Sequence, residues 1–97
     1  MKAVFIIFNQ AHTERVDYML EKLEIRGYTN WPSVMGQGSV DGEPHLGTHT
    51  WPEINSATLA IVGDEKVDVL LEKVQKLDAI NKEIGIRAFV WEVIKTV

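Results

Sequence analysis

ERVDYMLEK at residues 14–22 returns as EKVDVLLEK at residues 65–73. At a shift of 51, Glu14, Val16, Asp17, Leu20, Glu21 and Lys22 meet the identical Glu65, Val67, Asp68, Leu71, Glu72 and Lys73. In the first copy Val16, Met19, Leu20 and Leu23 fall at helical spacing; in the second Val67, Leu70, Leu71, Val74 and Leu77 do so. Each copy predicts an amphipathic helix. Thr13 is expected to cap the first, with Glu14 in its first turn and Gly27 as its stop after Arg26. Asp64 is expected to cap the second, with Glu65 following.

Each helix lies between apolar runs that read as strands. KAVFIIFN at 2–9 is β-branched and aromatic, and INSATLAIVG at 54–63 and IRAFVWEVI at 86–94 are similar. Residues 28–36 form a weaker strand, because Pro32 restricts it to an edge or a bulge. The order is β-α-β twice. It predicts an α+β, ferredoxin-like βαββαβ sandwich, with a four-stranded antiparallel sheet and two helices on one face. The first and fourth strands are apolar on both sides: Ala3, Phe5 and Ile7 oppose Val4, Ile6 and Phe8, and Phe89, Trp91 and Val93 oppose Ile86, Ala88 and Val90. Two helices cover one face only, so the other calls for a second copy of the chain.

Composition narrows the function classes. The 97 residues read as one domain with a thin core. A 45% hydrophobic share excludes a disordered chain. Ten Lys and Arg against 14 Asp and Glu give a net charge of −4, which argues against a nucleic-acid partner. The chain has no Cys, so it has no disulfide framework or thiol chemistry, and a cytoplasmic setting is expected. The run Ala3–Phe8 reads as a strand rather than a signal peptide, and no stretch has the roughly 20 apolar residues of a membrane span.

Residues 36–53, GQGSVDGEPHLGTHTWPE, stand apart. They hold four of the seven Gly, two of the three Pro and two of the three His, with no Lys or Arg. A loop this long is uncommon in a compact domain unless it has a function. His45 and His49 can converge on a divalent cation with Glu43, Asp41 or Glu53; the plainer reading is two surface imidazoles. Gly36-Gln37-Gly38-Ser39 can form a backbone nest for an anion, or simply a hinge. His12 precedes the first helix and reads as a surface imidazole. Trp31, Trp51 and Trp91 read as packing or interface residues, with Trp51 a candidate to line a cleft.

The chain resembles the nitrogen-regulatory PII-type signalling proteins over nearly its whole length. MGQGS at 35–39 is similar to the start of that family's T-loop, and LGTHTWP at 46–52 to its return. IGIRAFVWEVIKTV at 84–97 is similar to the family's last strand, with Gly85 and Arg87 near the turn that holds nucleotide phosphates. The CutA family is built alike. The resemblance implies a homotrimer whose T-loop segment, 36–53, responds to a small-molecule or metal effector in intersubunit clefts. It implies control of a partner protein, a membrane transporter or an enzyme. The ligand contacts carried over are Gly36, Gln37, Gly38, Ser39, Gly85 and Arg87. Adenine nucleotide is disfavoured, because the chain ends Ile94-Lys95-Thr96-Val97 without an arginine pair and the loop is acidic. A divalent metal on His45, His49 and Glu43 is the alternative effector. A regulator without catalysis is expected. The competing readings are a small α+β-barrel enzyme, oxygenase- or isomerase-like, using His12, Trp31 or Trp91, and a metal-tolerance protein.

Overall fold

The computed structural model describes residues 1–37, 40, 42–50 and 53–97. Four strands, β1 (Lys2–Asn9), β2 (Tyr28–Val34), β3 (Asn55–Val62) and β4 (Arg87–Glu92), form one antiparallel sheet in the order β2-β3-β1-β4. Helices α1 (Thr13–Lys22) and α2 (Asp64–Ile80) complete the expected βαββαβ order. The helices begin 51 residues apart, at the shift of the sequence repeat.

Alternation sorts the side chains. Val4, Ile6 and Phe8 of β1 are fully buried and meet Val16, Met19 and Leu20 of α1 and Leu70 and Val74 of α2 in one core. Ala88 and Val90 of β4 pack against the same core, and Ile84 and Ile86 close its end. The other face stays open. There Phe5 stands edge-on to Trp31 at 6.2 Å between ring centroids and tilted to Trp91 at 6.3 Å. Trp31, Phe89 and Trp91 remain 43%, 54% and 49% exposed. Both edges of the sheet therefore carry uncovered aromatic surface.

Pro32 acts as its sequence reading expects. β2 is an edge strand, and its register against β3 shifts between Trp31 and Val34. Side chains bridge the break: the Ser56 hydroxyl donates to the Pro32 carbonyl at 2.6 Å, and Gln10 Nε2 donates to the same oxygen at 2.7 Å. β2 ends at Val34 rather than Gly36, and β4 runs over Arg87–Glu92 rather than 86–94.

The helix ends differ from the sequence reading. A 3-10 turn, Gln10–His12, precedes α1, so Thr13 is the first helical residue, and its hydroxyl donates back to the Gln10 carbonyl at 2.7 Å. Gly27 does not stop α1. The turn comes at Glu24, whose φ of 57° is left-handed, and it lets Ile25 N–H donate to the Leu20 carbonyl at 2.9 Å. Burial of Ile25 fixes that geometry ahead of glycine preference. Lys66 then reaches across from α2 and donates to the carbonyls of Leu23 and Glu24 at 2.6 and 3.3 Å, filling acceptors the helix leaves open. Asp64 does not cap α2 with its side chain; Gly63 holds the cap position. The Asp64 carboxylate instead accepts from the Met1 amine at 2.7 Å, which holds its carboxyl below the usual aspartate range.

Candidate functional site

A cleft of about 790 Å³ opens on the uncovered sheet face where three segments meet. The strand ends supply Phe5, Ile7 and Phe89 as an apolar floor, the loop after β2 supplies one wall, and the turn before β4 the other. That turn is a second 3-10 turn, Lys82–Ile84, closed by Gly85 at φ 57°, a conformation that favours glycine. Because Gly85 reverses the chain there, Lys82, Glu83 and Arg87 all border the cleft.

The loop wall is pinned at its base. Gly36 and His45 form an antiparallel bridge, with Gly36 N–H donating to the His45 carbonyl at 2.9 Å and His45 N–H to the Gly36 carbonyl at 2.7 Å. A side chain at Gly36 would crowd Asn55 Nδ2, at 3.1 Å from the added carbon. The His45 ring lies between two acceptors: Nδ1 is 2.6 Å from Asn55 Oδ1, and Nε2 is 2.9 Å from Glu53 Oε2. Glu53 Oε2 also accepts from Asn9 Nδ2 at 3.2 Å. Strand pairing makes this cluster, because Asn9 and Asn55 are register partners at the ends of β1 and β3.

The charges nearly balance. Glu43, Glu53 and Glu83 line the cleft against Lys82 and Arg87. Both cations also converge on Asp78, near the end of α2: Lys82 Nζ donates to Oδ2 at 3.0 Å and Arg87 Nη1 to Oδ1 at 3.3 Å. The hydrogen bond from Lys82 is the main cause that holds the Asp78 carboxyl below the usual aspartate range, with Arg87 adding to it. Arg87 is thereby steadied at the rim with its guanidinium still largely exposed.

Of the residues expected to bind a ligand, Gly36, Gln37, Gly85 and Arg87 line this one cleft. Gly38 and Ser39 lie outside the described residues, as do Asp41 and Trp51. Of the expected metal ligands, His45 and Glu43 border the cleft, and His49 is exposed on the loop. Among the described residues, no three His, Asp or Glu side chains are grouped to hold a metal ion. His12 is half-buried before α1. Sequence reasoning missed Asn9, Asn55, Lys82 and Glu83. The paired asparagines at matched strand ends were the available signal.

Residues 1–97 match the family described as Nitrogen regulatory protein P-II. No curated protein matches the chain. Among solved structures, the chain is similar to CPII, a nitrogen regulatory PII-like protein from Thiomonas intermedia K12, bound to ADP, AMP and bicarbonate. Identity is 25% over 93% of this chain and 82% of that one, with a TM-score of 0.75. The same protein bound to ADP, AMP and acetate aligns at 26% identity over 92% and 81%, with a TM-score of 0.72. A PII-like signaling protein from Thermus thermophilus, at 21% identity over 93% and 83% and a TM-score of 0.66, shares the fold. With the family matched along its full length and the fold shared with PII-like proteins, this chain belongs to the nitrogen regulatory protein P-II family.

Proposed function

We propose that the protein is a trimeric, cytoplasmic regulator. An adenine nucleotide and a small oxyanion enter the cleft, reset the loop over residues 36–53, and so change affinity for a partner protein. The family is one of signalling proteins rather than enzymes, which removes the barrel-enzyme reading. The observation that carries the proposal is the cleft itself: Gly36 and Gln37 at the start of the loop face Gly85 and Arg87 across one cavity. A ligand held there touches the loop base directly, and ordering of a segment is a general switch. CPII, the relative bound to ADP, AMP and bicarbonate, supports the ligand classes.

Charge sets the preference within those classes. Three carboxylates against two cations disfavour a triphosphate and favour ligands carrying less charge. Arg87 is the principal phosphate contact, with Lys82 beside it. The open aromatic face supports the assembly: further copies of the chain would cover the exposed Trp31, Phe89 and Trp91 around Phe5 and bring neighbouring subunits to the cleft rim.

Calorimetric titration of wild type and Arg87→Ala with AMP, ADP and ATP tests the reading. The expected result is measurable ADP and AMP binding, weaker ATP binding, and loss of about tenfold in affinity on removing Arg87, the size of one charge-assisted contact. Absence of binding by any of the three, or submicromolar ATP affinity retained by Arg87→Ala, contradicts it.

A further inference from the structure

Two donors, Asn9 from the end of β1 and His45 from the cleft wall, converge on a single oxygen of Glu53, which lines the cleft. Asn9 is 4% exposed, and its orientation is fixed because its Oδ1 accepts from Ala11 N–H at 3.0 Å. Its Nδ2 must therefore point outward, where it donates to Glu53 Oε2 at 3.2 Å and to the Glu83 carbonyl at 3.3 Å. His45 presents Nε2 to the same Glu53 oxygen at 2.9 Å, while Asn55 holds the ring from its other side. A carboxylate only accepts, so the His45 Nε2 facing it carries a proton. A buried amide and an anchored imidazole thus form a preset receptor for one oxyanion oxygen. Its occupant is the chain's own carboxylate, on a residue whose side chain is half exposed.

We propose that the Asn9–His45 pair is the receptor for a small planar oxyanion, a carboxylate or bicarbonate, and that Glu53 is a tethered self-ligand which the anion displaces. The inference deepens the preceding reading and rests on it for the anionic effector. Glu53 suits the part for a second reason. Its carbonyl accepts from Gly47 N–H at 2.9 Å, and it lies two residues before β3. Displacing its side chain uncouples the loop's return from His45, and His45 is bridged to Gly36 on the outgoing side. Anion arrival is thereby read out as release of the clasp at the loop base. The self-ligand also sets a threshold, since an anion competes with a carboxylate held nearby at high effective concentration.

The test uses the full chain, with acetate and bicarbonate as separate probes at pH 7.5 and amide NMR shifts of His45 and Gly36 as the readout. If Glu53 holds the donor pair about nine-tenths of the time, Glu53→Ala binds the anion about tenfold more tightly than wild type. Glu53→Gln, which keeps an acceptor oxygen without the charge, falls between the two. The gain disappears in Asn9→Ala/Glu53→Ala. Glu83→Gln removes the same charge from the same cleft while keeping its carbonyl, and gains less than about twofold. A gain with both probes supports the shared chemistry, and a gain with one identifies the natural class. Unchanged or weaker anion binding in Glu53→Ala overturns the proposal, as does an equal gain in Glu83→Gln, which would mark a general field effect. If the double variant fails to fold, the graded order of wild type, Glu53→Gln and Glu53→Ala decides. ADP titration of the same samples separates the two readings: wild type that binds ADP but shows no Glu53 effect defeats this inference alone, and wild type that binds no ADP defeats the parent reading.

Discussion

Replacing Trp91 by Ala should dissociate the proposed trimer while leaving each subunit folded. Trp91 is 49% exposed on the open sheet face, against Phe5. A tryptophan offers at most about 250 Å² of contact area, so roughly half of that, about 120 Å², is available for burial by a neighbouring copy. At about 25 cal/mol per Å² this is about 3 kcal/mol per subunit, or about 9 kcal/mol over three symmetric sites. Even if half is recovered by repacking, the assembly weakens by several powers of ten. The subunit core is untouched, because Val4, Ile6 and Phe8 lie on the opposite face. Sedimentation velocity across 1–100 µM (roughly the range in which such a loss is visible) is the assay, with far-UV circular dichroism as the control for folding. Wild type should sediment as a trimer throughout and Trp91→Ala as a concentration-dependent mixture. A wild-type monomer at micromolar concentration, or a Trp91→Ala trimer as tight as wild type, would mean that this face is not the subunit interface.

Three further outcomes follow from local geometry. Glu24→Gly should raise stability by about 0.5–1 kcal/mol in denaturant unfolding, because Glu24 occupies a left-handed conformation that glycine adopts freely. Gly85→Ala should lower stability by about 1 kcal/mol for the converse reason, and should weaken ADP binding by shifting Arg87 two residues on. Asp78→Asn should lower stability by less than about 1 kcal/mol at pH 7. Its depressed carboxyl contributes stability that is present above the unfolded aspartate value of about 4 and is lost as pH falls through the lower folded value. The difference between wild type and Asp78→Asn should therefore close in urea melts below about pH 4 and stay constant from there to neutrality.

What the sequence disclosed depended on the range of the interactions involved. The two-sided apolar pattern of β1 and the repeat at 14–22 and 65–73 express local periodicity, so the strand limits of β1 and the existence of both helices were readable. Pro32 marked the register break because its effect is confined to its own backbone. Helix ends were less legible. Asp64 looks like a cap, but the Met1 amine, 63 residues away, claims its carboxylate. Glu24 turns the chain where Gly27 was expected, because Ile25 enters the core. Of the residues that line the candidate cleft, Gly36, Gly85 and Arg87 were legible, because they announce turns and charge. It was not legible in the clasp: Asn9 and Glu53 are 44 residues apart, and only the register of β1 on β3 brings them together. His45 likewise read as a metal ligand or a surface imidazole, whereas the fold commits its ring to Glu53 and Asn55.

In the proposed function, occupancy of the cleft is transmitted to the loop. Hydrogen exchange at the amides of Gly36 and His45, which donate to each other's carbonyls, measures this at the joint between cleft and loop. With saturating ADP, exchange at both amides should slow by about fivefold or more in wild type. In Arg87→Ala the slowing should be less than about half as large at an ADP concentration that just saturates wild type. ADP bound in the cleft of wild type, with exchange at Gly36 and His45 identical to that of the free protein, would contradict it.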